Sequence, residues 1–173
     1  TYGRLISRGE VSGDGLSGIA MQAGSGSSKA SFSIGRQFQD GPAIWEKLYS
    51  SSLEPRAMDR INQWVHLVGV FDGDRLRFYV NGKLDREVEA CGHNLQLWDR
   101  PEHKLVIGNA SLKSRMAWGD KYFDGLVDEV KIWRRNLSAE EIKHVFDQGE
   151  QSILSGHFGE LSQHARRLAP ATG

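Results

Sequence analysis

Several familiar explanations are excluded by what this chain lacks. One cysteine, Cys91, stands among its 173 residues. It cannot form an internal disulfide, and no Cys/His pattern has zinc-ligand spacing. The charges cancel, with 22 Lys and Arg against 22 Asp and Glu. Neither a nucleic-acid footprint nor an acidic tail is therefore expected. No apolar run approaches the roughly 18 residues of a membrane-spanning helix, so no membrane insertion is expected. Helical periodicity is nearly missing before residue 137. The chain opens Thr1-Tyr2-Gly3-Arg4-Leu5-Ile6 without an initiator Met or a basic-then-apolar signal region. The expectation is a fragment of a longer protein, with further domains and any export signal outside it.

What is present is a series of short apolar runs punctuated by Gly, Asn, Asp and Ser, the pattern of an all-β chain. Its length suits one domain with a little to spare, able to bury about two-thirds of its unfolded surface. Strands are expected at Arg4–Arg8, Gly18–Gln22, Ser31–Arg36, Ala43–Leu48, Trp64–Phe71, Leu76–Val80, Leu84–Ala90, Leu105–Gly108 and Leu126–Trp133. Trp64 to Phe71 is apolar on both alternating faces, which predicts a central strand covered on both sides.

Asn81-Gly82 marks a hairpin. A two-residue loop would set Phe78 against Asp85 and Leu76 against Glu87. A shift by one residue pairs Phe78 with Arg86, Leu76 with Val88, Arg77 with Glu87 and Arg75 with Glu89. Cross-strand chemistry favours the shifted register, with a bulge near Gly82 or Lys83. Further on, Ser138 and Glu141 form a capping box, Leu137 and Ile142 a hydrophobic staple, and Gly149 a helix stop. Residues 1–149 read as one domain, and 150–173 as a second short helix or a linker.

Four segments, in order, resemble laminin-G-like domains. Trp64-Val65-His66-Leu67-Val68-Gly69-Val70-Phe71-Asp72-Gly73 is similar to their W-x-H strand and turn. Leu76-Arg77-Phe78-Tyr79-Val80-Asn81-Gly82-Lys83 resembles their hairpin, and Leu105-Val106-Ile107-Gly108 their L-x-I-G strand. Phe123-Asp124-Gly125-Leu126-Val127-Asp128-Glu129-Val130-Lys131-Ile132-Trp133 with Leu137-Ser138-Ala139-Glu140-Glu141-Ile142 resembles their ending. The resemblance implies a two-sheet antiparallel jelly-roll sandwich of the concanavalin A-like class with a short C-terminal helix. It further implies Trp64 and Trp133 at core positions, an earlier strand pairing near Leu126–Trp133, and a secreted, periplasmic or cell-surface setting, bacterial in origin. Residues 40–62 match no motif of the family.

Alternation sets Asp128 in phase with Leu126, Val130 and Ile132, hence in the core. There it must accept hydrogen bonds or ligate a cation; related jelly rolls with a structural calcium supply an Asp from this strand, and hard oxygen ligands suit Ca²⁺. Asp40, Asp120 and Asp124 are loop acids able to serve calcium at a recognition site. Trp45, Trp98 and Trp118 sit in turn-rich stretches, where a ring either stacks on a sugar or seals a core edge. Asp85, Glu87 and Glu89 lie on one strand face and invite comparison with the E-x-D-x-E carboxylates of a related glycosidase family. The arginines opposite them argue for a salt-bridged surface instead. His66 reads as a satisfied core histidine, and no G-x-S-x-G nucleophile elbow is present. The expected function is non-catalytic recognition of carbohydrate, or else a protein surface, by Trp98, Trp118, Asp120 and Trp45, with calcium assistance through Asp128, Asp124 and Asp40. The alternatives are a glycan hydrolase and a structural or adhesion spacer.

Overall fold

The computed structural model describes residues 3–12, 15–25, 29–37, 43–53, 63–90, 96–97, 104–109 and 122–154. The strands are β1 (Gly3–Ser12), β2 (Gly15–Ser25), β3 (Lys29–Gln37), β4 (Ala43–Tyr49), β5 (Leu67–Phe71), β6 (Arg75–Val80), β7 (Lys83–Glu89), β8 (Gln96–Leu97) and β9 (Leu105–Ile107); the helix is α1 (Ala139–Leu154). Pairing is antiparallel throughout these strands. One sheet runs β4-β3-β2-β1-β9, with β8 beside the end of β3; the other is β5-β6-β7.

The two sheets close over one apolar layer. Alternation on β2 to β4 turns Ile19, Met21, Phe32, Ile34 and Leu48 to one face, where they meet Leu67, Phe71, Leu76, Phe78, Val80 and Val88 of the smaller sheet. Each such side chain contributes about 1.5–3 kcal/mol when fully buried. Gly69 of β5 lies against Phe32, whose ring fills the space that a Cβ would take.

The smaller sheet is apolar on its outer face too. Val68, Val70 and Tyr79 pack there with Leu137 and Ile142 at the start of α1. The helix begins as its sequence requires. Ser138 Oγ accepts the Glu141 N–H at 3.2 Å, and Glu141 Oε2 accepts the Ser138 N–H at 2.8 Å. Arg135 clasps the same carboxylate at 2.7 and 2.9 Å. These partners, Arg135 first, hold the Glu141 carboxyl at a pKa of about 2.

The hairpin β6–β7 uses both registers. Asn81 and Gly82 carry φ of 49° and 72° and form a two-residue turn of the primed kind, so Val80 faces Lys83. Beyond it Phe78 faces Arg86, Leu76 faces Val88, Arg77 faces Glu87 and Arg75 faces Glu89. Asp85 is the extra residue that reconciles the two. The bulge therefore falls at Asp85, not beside Gly82, because the turn residues already satisfy their own geometry.

Other expectations are corrected. Leu126–Trp133 is not a strand among the described residues, and Leu126, Val130 and Ile132 are 53%, 42% and 58% exposed. Glu129 sits at φ 51°, which breaks the extended run at its centre. Asp128 is consequently exposed rather than buried. Trp64 and Trp133 are exposed, since both lie outside the strands. In the described sheet β6 is central and β5 has one paired neighbour, though β5 is covered on both faces as expected. The helix runs through Gly149 to Leu154.

Two glycines give opposite expectations. Gly69→Ala should cost about 1–3 kcal/mol by overpacking against Phe32. Gly149→Ala places its methyl group in open space inside a helix, and should gain about 0.5–1 kcal/mol. Urea unfolding of the two variants reads both signs; equal midpoints would refute this packing.

Candidate binding face on the six-stranded sheet

The face of the larger sheet turned away from the core has a different composition. In register, Arg4, Gln22, Ser31 and Tyr49 form one row across β1, β2, β3 and β4; Ser7, Ala20, Ser33 and Lys47 form the next. A third row is Gly9, Gly18 and Gly35, with Trp45 in the fourth position by its backbone register. Gly18 has φ 91°, and a Cβ there would collide with the Arg8 carbonyl. Two rows of small residues thus make a floor, beside a row of longer polar side chains. A one-residue shift in β1 at Leu5 keeps both Arg4 and Ser7 on this face.

Most of the floor hydroxyls are engaged. Ser33 Oγ donates to the Ala20 carbonyl at 3.2 Å and Ser7 Oγ to the Asn109 carbonyl at 3.1 Å. Lys47 Nζ donates to Gln22 Oε1 at 2.9 Å and lies 4.9 Å from the Tyr49 ring centroid. Ser31 Oγ is buried without a partner. Arg4 is 6% exposed, and its Nε and Nη1 meet no acceptor. Burial pushes the Arg4 pKa down, and it does the same to Lys47, where Tyr49 partly opposes the shift and the Arg4 charge adds to it. Two cations are thus held together in a poorly solvated setting.

On the smaller sheet the carboxylates are already occupied. Glu87 takes Arg75 at 2.9 Å and also Arg77 Nε, Arg77 reaches Asp72 at 2.6 Å, and Glu89 lies 3.7 Å from Arg75. The Arg77 hydrogen bond leads in holding the Glu87 pKa down. Asp85 accepts the N–H groups of Ser51 and Ser52 at 2.7 and 2.8 Å, and the Ser51 hydroxyl at 3.1 Å. Burial raises its pKa, but hydrogen bonds from Ser52, Ser51 and Ser50 outweigh that and leave it lowered. The bulge has aimed Asp85 at the chain leaving β4. The arrangement favours the ionised form of Asp85 and Glu87, opposite to what a general acid needs.

Of the residues expected at the site, Trp98, Trp118, Asp120 and Asp40 lie outside the described residues, and so does Cys91. For Trp45 only its backbone register places it on the polar face. Asp124 is exposed beyond Phe123, and Asp128 accepts the Glu129 N–H at 2.7 Å. Among the described residues no three or more His, Cys, Asp or Glu side chains are grouped to hold a metal. His66 departs from its reading as a satisfied core histidine. Its backbone N–H is taken by Asn81 Oδ1 at 3.0 Å, but its Nδ1 is buried without a partner. Burial first, then Lys131, pushes its pKa down. Arg4, Gln22, Ser31 and Lys47 were missed. Their signal was Ser31-x-Ser33-x-Gly35 alternating with Phe32 and Ile34, small polar residues set against large apolar ones.

Because the Asp85 carboxyl has a lowered pKa, its contribution is complete above the ordinary Asp value of about 3.9 and is lost as pH falls through its folded value. Asp85→Asn should lower stability at pH 7 by about 1 kcal/mol after solvent screening. It should also flatten the acid limb of the stability curve below about pH 4. Urea titrations across pH 2.5 to 7 check this; parallel curves for the two proteins would count against it.

A family model described as the concanavalin A-like lectin/glucanases superfamily matches residues 4–143. No curated protein matches. Among solved structures, the chain is similar to residues 221–444 of an S-layer domain-containing protein from Clostridium thermocellum, with 22% identity and a TM-score of 0.39. That likeness covers 76% of this chain and 57% of that one, so the chain spans less than two-thirds of the neighbour's length. With the family match running from the first strand into the C-terminal helix, the chain belongs to the laminin-G-like family of the concanavalin A-like lectin/glucanase superfamily.

Proposed function

We propose that this chain is a non-catalytic recognition module that holds carbohydrate on the outer face of its six-stranded sheet. The observation that carries the reading is the contrast between the two outer faces. The smaller sheet's outer face is closed by Leu137, Ile142 and an ion-pair network. The larger sheet's outer face has a buried base of small residues and Arg4, with half-buried Gln22 and Lys47 and exposed Tyr49 toward the solvent. The amide of Gln22 and the ammonium group of Lys47 suit a ligand dense in hydroxyls. Tyr49, 41% exposed, supplies an aromatic surface at the outer end. Engagement of Asp85, Glu87 and Glu89 in caps and ion pairs supports the non-catalytic reading. Membership of a lectin-containing superfamily supports the ligand class.

Trp45, Trp98, Trp118 and Asp120 extend this proposal as rim contacts. A calcium ion served by Asp40 and Asp124 is the cofactor it admits. The setting that goes with it is a secreted, periplasmic or surface-attached protein with further domains. No described helix is long and apolar enough to cross a membrane.

A glycan array probed with and without calcium tests the reading, with soluble polysaccharide assayed in parallel for breakdown. Retention of a saccharide class is expected, together with about a tenfold loss on Gln22→Ala. Chain cleavage would move the protein to the hydrolases, silence on every glycan would favour a spacer, and retention unaffected by EDTA would remove the calcium.

A further inference from the structure

We infer that α1 is an acid-released cover over the smaller sheet, with His66 as the group that senses the acid. This role stands on the packing of the smaller sheet and is independent of carbohydrate recognition.

His66 is held where the helix meets the β6–β7 turn. Its N–H donates to Asn81 Oδ1 at 3.0 Å, and its carbonyl accepts the Asn81 N–H at 2.9 Å. Phe146 of α1 lies against the imidazole, with ring centroids 5.7 Å apart and planes tilted by 37°. The same Phe146 covers Gly82, where an added Cβ would come 3.0 Å from its ring. Ile142, one helical turn earlier, packs with Val68, Val70, Tyr79 and Leu137. That cluster is separate from the core between the two sheets, so the helix can leave while the main core stays closed.

A neutral imidazole tolerates this place, because only one of its nitrogens carries a hydrogen. In the imidazolium both nitrogens are donors, and Nδ1 is buried with no acceptor among the described residues. An unpaired charged donor costs more there than an unpaired neutral nitrogen. Charged groups on the elements packed around it give no relief. Lys131, on the segment entering α1, acts on the ring with the same sign as the imidazolium and is itself paired with Glu129 at 2.5 Å. On α1, Lys143 pairs with Asp147 at 2.6 Å, Glu141 is held by Arg135, and Glu140 acts on Tyr79. Lys83 of the hairpin is exposed.

The charged ring is disfavoured only while the helix covers it. Because the covered His66 has a pKa below its ordinary 6.5, the cover keeps its full stability above that value and loses it as pH falls toward the folded one. The cap of the same helix is lost later, since Glu141 titrates at about 2. Mild acid therefore detaches a helix that is still capped, and uncovers Val68, Val70 and Tyr79.

Amide hydrogen exchange of the whole chain, corrected for the intrinsic rate, tests this at about pH 7.5 and about pH 5, on either side of the ordinary His value. Amides of α1 should lose protection at the lower pH while those of β3 and β6 keep theirs. His66→Phe should abolish the loss, and His144→Gln, at an exposed position on the same helix, should leave it in place. Should His66→Phe fail to fold, NMR titration of the His66 ring in the unchanged chain decides, with a midpoint below about 6.5 expected. Unchanged protection of α1, equal loss in β6, persistence of the loss in His66→Phe, or a ring midpoint at or above the ordinary value would each overturn the inference.

Discussion

The fold depends on a three-stranded sheet that is apolar on both faces. Leu67, Phe71, Leu76, Phe78 and Val80 need one cover, and Val68, Val70 and Tyr79 need another. The six-stranded sheet supplies the first cover through Phe32, Ile34 and Leu48, and the start of α1 supplies the second through Leu137 and Ile142. Once both covers are in place, the smaller sheet has little apolar surface left to offer. The outer side of the larger sheet carries a different, more polar set, with Arg4, Ser7, Ser31 and Ser33 buried on it and Tyr49 exposed at its outer end.

That constraint also explains the local irregularities. The tight turn at Asn81-Gly82 requires Val80 opposite Lys83, whereas burial of Leu76 and Phe78 requires the shifted pairing with Val88 and Arg86. A bulge at Asp85 serves both demands, and it turns that carboxylate onto the N–H groups of Ser51 and Ser52. A second shift at Leu5 carries Arg4 onto the outer face beside Gln22. Each irregularity redirects one charged side chain: the first is capped by Ser51 and Ser52, whereas Nε and Nη1 of the second are buried without a hydrogen-bond acceptor.

Charge placement divides the two outer surfaces. On the smaller sheet, Arg75 and Arg77 alternate with acids across the strand pair, so the network is neutral and wet. On the larger sheet, Arg4 and Lys47 lie on one face with an amide and hydroxyls. Equal numbers of positive and negative residues in the whole chain hide this segregation, which exists only once the strands are aligned.

The amino-acid order alone settled the features that depend on near neighbours. It specified the all-β character, most strand positions, the Asn81-Gly82 turn, the body of the hairpin register and the cap on α1, because each follows from period-two alternation or from groups within a few residues. Alternation also suggested a buried strand at Leu126–Trp133 and a core Asp128. That failed, because a pattern has no face until another strand lies beside it, and Glu129 interrupts the backbone there. The polar face was beyond local reading for a related reason. Arg4, Gln22, Ser31 and Lys47 are scattered over more than forty residues, and only antiparallel register brings them into adjoining rows. Burial likewise belongs to the assembled sheet: nothing within reach of Arg4 in sequence shows that its guanidinium is cut off from water.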